Sequence, residues 1–237
     1  MKKLFAIILA VVMLLSLAAC GGKSSKVEDG VLRVAASYDI STMDVAQTTD
    51  NYMIPMNIFD RLFEVEVQDD GSTEIVGSLA TGYEISPDGL TYSFVLREGV
   101  VFSNGSALTA SDVQYTFERL LTAGGVNDDV PLEVKGAEAL KNGEATSLEG
   151  FVVEDDHHFS ITLAAPNAGF IAELTGPAMS VVDKETMAEV DNFGLECEDT
   201  IGTGSILIFT ILILPIHEHG IFLHLLVSSL ISFTSVL

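Results

Sequence analysis

Asp88-Gly89-Leu90-Thr91-Tyr92-Ser93-Phe94-Val95-Leu96-Arg97 decides how the middle of this 237-residue chain folds. From Thr91 to Leu96 polar and apolar side chains alternate, and a period of two sends Tyr92, Phe94 and Leu96 to one face of a strand. Just before it, Pro87-Asp88-Gly89 offers a fixed φ, a turn-forming side chain and a residue free to take positive φ. The pattern predicts an antiparallel hairpin with the preceding strand, half-buried on the aromatic side.

Moving toward the C-terminus, Ser103-Asn104-Gly105-Ser106 marks a turn. Thr109 then stands as an N-cap with Asp112 three residues on, a partial capping box opening a helix that carries Val113, Tyr115, Phe117, Leu120 and Leu121. A short helix is expected over Pro131 to Leu140. Phe151-Val152-Val153 and Phe159 to Leu163 flank the acidic turn Glu154-Asp155-Asp156-His157-His158 as a second hairpin. Gly169 to Leu174 and Asp183 to Val190 are expected as short helices.

Toward the N-terminus, Met53, Ile54, Met56, Ile58, Phe59, Leu62 and Phe63 recur at helical intervals and predict a helix from about Tyr52 to Phe63, with Pro55 in its first turn. Glu64 to Val67 and Glu74 to Val76 are short extended pieces around the turn Asp69-Asp70-Gly71-Ser72. Val31 to Ala36 is an opening strand, and Thr42-Met43-Asp44 turns the chain. The body is therefore α+β with several antiparallel pairs, and it lacks the regular strand-helix alternation of a doubly wound sheet.

The two ends differ in kind from this body. Met1-Lys2-Lys3, the apolar run Leu4 to Leu15 and the small-residue close Ser16-Leu17-Ala18-Ala19-Cys20 make a secretory signal over residues 1–20, too short for a membrane span. Leu17-Ala18-Ala19-Cys20 resembles the lipobox of bacterial lipoproteins, which implies cleavage before Cys20 and its diacylation. Two acyl chains hold a protein at a bilayer where one is marginal. Residues 21–30 begin with Gly21-Gly22-Lys23-Ser24-Ser25-Lys26 and read as a flexible tether.

From Gly21 to Ser205 there are 9 Lys and Arg against 33 Asp and Glu, a net charge of −24. Such a body repels nucleic acid and anionic lipid. Cys20 and Cys197 are the two cysteines of the chain. With Cys20 lipidated no intramolecular disulfide can form, so stability rests on a packed core.

The run Asp88 to Arg97, continued by Gly99-Val100-Val101-Phe102-Ser103-Asn104-Gly105 and Leu108-Thr109-Ala110-Ser111-Asp112-Val113, resembles family 5 of the extracellular solute-binding proteins. Further matches are Ser41-Thr42-Met43-Asp44, Ile58-Phe59-Asp60-Arg61-Leu62-Phe63, Leu163 to Phe170, and Ile201-Gly202-Thr203-Gly204. The likeness thus extends over about residues 31–204, with Tyr83 where the family usually has Trp. It implies that residues 31–205 form the first lobe of a two-lobed, type II-like periplasmic-binding-protein fold, truncated, with a mixed sheet and antiparallel hairpins. It also implies a ligand cleft between lobes, which Tyr38 and Asp39 at the end of the first strand would approach.

Members of the family continue after Gly-Thr-Gly into Pro-Tyr and a second lobe. Here residues 206–237 contain no Lys, Arg, Asp, Asn, Gln or Ala, and Glu218 is their single carboxylate side chain. The expectation is a frameshift or truncation product. The rival reading is a membrane segment, but Pro215 to Gly220 leaves apolar pieces of 9 and 17 residues, against about 20 for a span.

The function expected from the resemblance is a substrate-binding lipoprotein of an ABC importer, held by lipid at the extracytoplasmic face of the cell membrane. It would capture peptides or related solutes, nickel chelates and opine-like compounds included, for a membrane permease. The alternative is a truncated fragment that is anchored and binds no ligand. No enzyme, cofactor or metal site is expected. All five histidines fall in the acidic turn or the tail, away from any nucleophile signature, and His217-Glu218-His219 lacks the spacing that sets two imidazoles on one helical face.

Overall fold

The computed structural model describes residues 31–36, 42–49, 52–189, 200–204, 206–212 and 229–235, with 31–36, 188–189, 206–212 and 229–235 described by backbone alone. Residues 1–30, Tyr38, Asp39 and Cys197 lie outside the described residues.

The alternating run from Thr91 is strand β5 (Thr91–Leu96), and it sits inside a four-stranded antiparallel sheet with β4 (Ala80–Ile85), β6 (Phe151–Val153) and β7 (His158–Thr162) in the order β4-β5-β7-β6. Tyr92, Phe94 and Leu96 are buried while Ser93 and Val95 face outward, as the period of two requires. Register places Phe94 opposite Phe159, and the rings stack at 5.0 Å; Phe159 stacks in turn on Phe151 at 5.1 Å. This aromatic row crosses three strands, and burying each such ring contributes about 1.5–3 kcal/mol. At the sheet edge Tyr83 stands edge-on to Phe63 at 5.5 Å and is 42% exposed.

Helix α2 (Ala110–Thr122) covers the row, with Phe117 meeting Phe151 at 5.6 Å. Helix α1 is Pro55–Ile58, α3 Asp129–Leu132, α4 Ala137–Lys141, α5 Phe170–Glu173 and α6 Lys184–Glu189. The predicted capping box is present: the Thr109 N–H and hydroxyl both donate to Asp112 Oδ2 at 2.8 Å. The other Asp112 oxygen accepts the Lys184 N–H at 3.0 Å, so the cap also fixes the start of α6. The two extended pieces expected around residues 69–72 are strands β2 (Phe63–Val67) and β3 (Thr73–Gly77), and they pair antiparallel about Gly71, whose φ is 82°.

Three expectations are corrected. The helix expected from Tyr52 to Phe63 is confined to α1, and Phe59 already has the extended values φ −109° and ψ 137°. Carbonyls that a longer helix would use internally accept tertiary bonds instead. Ile58 O accepts from Gly204 at 2.7 Å, Asp60 O from Val181 at 2.9 Å, Arg61 O from Leu79 at 3.0 Å, and Leu62 O from Ser78 and Ala80 at 3.0 and 3.1 Å. The close approach of residues 202–204 to Ile58 is possible because Gly202 has no side chain, since a Cβ there would overlap the Ile58 carbonyl oxygen. Ile54, Ile58, Phe59, Leu62 and Phe63 are nonetheless buried.

The helix expected over Pro131 to Leu140 is split into α3 and α4. Val134 leaves the helix to bridge Leu163, and Gly136 takes a left-handed φ of 81°. The early turn falls at Val45–Gln47 rather than Thr42–Asp44, with the Asp44 carbonyl accepting the N–H groups of Gln47 and Thr48.

In the tail, β8 (Ile206–Leu212) and β9 (Ser229–Ser235) pair antiparallel from Ile206 opposite Ser235 to Leu212 opposite Leu230. They join β1 (Val31–Ala36) in the order β1-β9-β8. The described part of the second apolar piece is thus strand, and no described helix is long and apolar enough to cross a membrane.

Candidate functional site

Tyr38 and Asp39 fall outside the described residues, but the ground on which the following segment rests is described. Asp44, five residues beyond Asp39, is buried and receives both ends of the Arg119 guanidinium, from Nη1 to Oδ1 at 2.8 Å and from Nη2 to Oδ2 at 2.7 Å. Oδ1 also accepts the Ala46 N–H at 3.0 Å. Arg119 reaches it because Phe117, Leu120 and Leu121 turn into the core and fix the rotation of α2. A bidentate pair of this kind is shape-specific, and removing one partner from a buried pair costs about 3–5 kcal/mol.

Asn127 completes the clamp. Its Nδ2 lies 2.7 Å from the carbonyls of Val45 and Thr48 and 3.0 Å from the Tyr52 hydroxyl. Tyr52 in turn donates to Thr48 O at 2.9 Å. Gly125 allows the two stretches to touch, because a Cβ there would overlap the Ala46 carbonyl oxygen. Tyr115, one turn before Arg119 on α2, has its hydroxyl pKa raised chiefly by burial.

Further polar groups are satisfied elsewhere among the described residues. Asn167 donates to Glu133 Oε2 at 2.8 Å and to both Glu173 oxygens at 3.2 Å, and the Tyr92 hydroxyl donates to the Asn167 carbonyl at 2.7 Å. Asp183, 2% exposed, accepts from Asn104 Nδ2 at 2.7 Å and Ser106 Oγ at 2.6 Å. Burial pushes its carboxyl up, but these bonds with those from the Thr186 and Glu185 N–H groups outweigh it and hold the pKa below the usual value. Arg61 is buried and bonds Glu64 through Nη2 at 3.2 Å, while its Nε and Nη1 have no hydrogen-bond partner. Its neighbour Asp60 is pushed up, chiefly by burial.

Of the histidines, His157 and His158 are described, at the start of β7. His158 Nδ1 lies 2.9 and 3.0 Å from the two oxygens of Asp155. The Asp155 carboxyl is held below its usual value by the His157 N–H first and the His158 ring second. No described residue brings a hydroxyl nucleophile to this ring, and the described residues hold no group of three or more His, Cys, Asp or Glu placed to bind a metal.

Sequence reasoning flagged Ser41-Thr42-Met43-Asp44 as a match but missed its partner. The available signal was a carboxylate set between Met43 and Val45-Ala46, an acid that burial obliges to find a cation.

Residues 74–205 match the model of the bacterial extracellular solute-binding proteins, family 5. The chain is 29% identical over 184 residues to a dipeptide-binding protein of Lactococcus lactis, covering 75% of this chain and 32% of that one. It is 34% identical over 138 residues to heme-binding protein A of Haemophilus influenzae, covering 54% and 24%. The crystal structure of the substrate-binding domain of an oligopeptide ABC transporter from Bacillus anthracis superposes with a TM-score of 0.69 at 25% identity, covering 74% of this chain and 34% of that one. The chain thus spans about a third of the length of the dipeptide-binding relative and of the oligopeptide-binding neighbour.

Proposed function

The chain belongs to the bacterial extracellular solute-binding proteins of family 5, and from that membership we propose that it is the N-terminal portion of a peptide-capturing lipoprotein of an ABC importer. The observation that carries the reading is the family match over residues 74–205, joined to a dipeptide-binding relative and an oligopeptide-transporter neighbour. The family consists of substrate-binding proteins, not enzymes, and the clamp at Asp44 suits that role.

On this reading a peptide is held by main-chain hydrogen bonds in a cleft that closes over it. Tyr38 and Asp39 are the residues assigned to peptide contact on this reading, and the clamp through Asp44, Arg119 and Asn127 fixes the described stretch that follows them, residues 42–49. Cys20 carries the acyl chains, palmitate among them, and tethers the protein to the extracytoplasmic face of the cell membrane beside its permease. A thermal-shift panel of di-, tri- and oligopeptides against heme and nickel chelates tests the solute class. A ligand at about 100 times its Kd adds roughly 2.7 kcal/mol of stability, so a peptide should raise Tm clearly. A shift with heme or nickel and with no peptide overturns the peptide reading. Labelled palmitate should enter the chain and be lost in Cys20→Ser; retention of label in that variant removes the anchor assignment.

A second reading is favoured by the coincidence of two boundaries: the family match stops at residue 205 and the composition changes at residue 206. On it, residues 206–237 come from a shifted frame and the chain is an anchored fragment that binds no peptide. Long-read sequencing across the codons for 201–237 should then reveal a frame with Pro-Tyr after Gly204; confirmation of the written frame ends this reading.

A further inference from the structure

Two Asn-Gly pairs lie among the described residues, Asn104-Gly105 and Asn142-Gly143. A glycine after asparagine leaves its amide nitrogen unobstructed, because there is no Cβ to hinder its approach to the preceding side chain. That nitrogen can attack Asn Cγ, forming a five-membered succinimide as the Cγ–Nδ2 bond breaks and ammonia leaves. Water then opens the ring at either carbonyl, giving Asp or isoaspartate. No oxidant, reductant or enzyme is required.

The structure treats the two asparagines differently. Asn104 has both ends of its amide occupied: Nδ2 donates to Asp183 Oδ2 at 2.7 Å and Thr186 Oγ1 at 3.2 Å, while Oδ1 accepts from Ser106 N at 2.9 Å, with the Ser106 hydroxyl, whose one proton it shares with Asp183, at 2.8 Å. To present Cγ to the Gly105 nitrogen the side chain must release these bonds. Asn142, at the C-terminal end of the five-residue α4, is exposed, and no described residue hydrogen-bonds its amide. Gly143 has φ 74°, with nothing within 4 Å of where a Cβ would stand. The backbone does not separate the pairs, since the Gly105 N–H bonds Phe102 O at 2.8 Å and the Gly143 N–H bonds Leu140 O at 3.0 Å.

We propose that Asn142 is a site of spontaneous deamidation in the folded protein and that Asp183 keeps Asn104 as the amide. The consequences differ as well. At residue 142 the new carboxylate stands in solvent at a helix C-terminus, where negative charge is mildly unfavourable. At residue 104 it would face the Asp183 carboxylate across a hydrogen-bond distance and drive apart the 103–106 turn and α6.

The test follows ammonia release and peptide mass during incubation of the mature chain at mildly alkaline pH. In the folded protein residue 142 should convert at least on the order of tenfold faster than residue 104, the factor that roughly 1.4 kcal/mol of hydrogen bonding imposes. In urea the two rates should converge. Gly143→Ala should stop conversion at 142 alone, and Asp183→Asn should raise it at 104 alone. Equal rates in the folded state, or an Asn142 that stays intact while the urea-unfolded chain converts, overturns the proposal. The urea comparison decides the matter even if Asp183→Asn does not fold.

Discussion

Residues 110–122 and residues 52–63 carry the same helical spacing of apolar side chains, yet the first is a three-turn helix and the second holds only the four residues of α1. Both bury their large side chains: Phe117 and Leu120 in one, Ile58 and Phe59 in the other. They differ in where the backbone finds its hydrogen bonds. The first begins with a capping box and keeps its carbonyls inside the helix, whereas the second has no side-chain cap and surrenders Ile58, Asp60, Arg61 and Leu62 to partners as far away as Gly204. Apolar spacing reports burial, and only the backbone partners decide the conformation that achieves it.

The largest expected effects test whether burial is equal despite the difference in conformation. Phe117→Ala and Phe59→Ala should each cost about 3–5 kcal/mol in denaturant unfolding. A cost below about 1 kcal/mol at Phe59 would break the comparison, since that is the range of a surface change. Gly202→Ala should cost about 1–3 kcal/mol through forced displacement of the Ile58 carbonyl. Next, Thr109→Ala should lose about 1 kcal/mol and some helix by circular dichroism. Pro55→Ala, by contrast, should change stability by no more than about 1 kcal/mol and add no helix, because the carbonyls beyond Ile58 remain taken.

The smallest effects concern pH and run in opposite directions. Asp183 has a depressed pKa in the fold, so its contribution is present above the ordinary carboxylate value near 4 and is lost as pH falls through its lowered folded value. Asp60 has a raised pKa, so its contribution is present at low pH and is lost as pH rises from about 4 through the raised value. Tm measured against pH should flatten on the acid side in Asp183→Asn and rise at neutral pH in Asp60→Asn. Curves unchanged by both substitutions would show that neither carboxyl is coupled to folding.

The hairpin at Pro87-Asp88-Gly89, the aromatic face of β5, the capping box at Thr109 and the acidic turn before His158 were legible because each is encoded within a dozen residues. The end of α1 was not, since it depends on Gly202 and Gly204 fitting against Ile58 across more than half the chain. The break between α3 and α4 was equally hidden, because the Val134 bridge to Leu163 belongs to tertiary structure. At the candidate site the sequence pointed to Tyr38 and Asp39, which lie outside the described residues. It offered no means of pairing Asp44 with an arginine 75 residues away. The family resemblance, by contrast, was carried by turns, caps and core aromatics, and the match over residues 74–205 agrees with it.

Isothermal titration of residues 20–237, with Cys20 replaced by Ser, against a panel of dipeptides tests the central claim most directly. The account predicts saturable one-to-one binding of at least one dipeptide, weakened by Tyr38→Ala and by Asp39→Ala. A folded chain that gives no saturable heat with any peptide would contradict it.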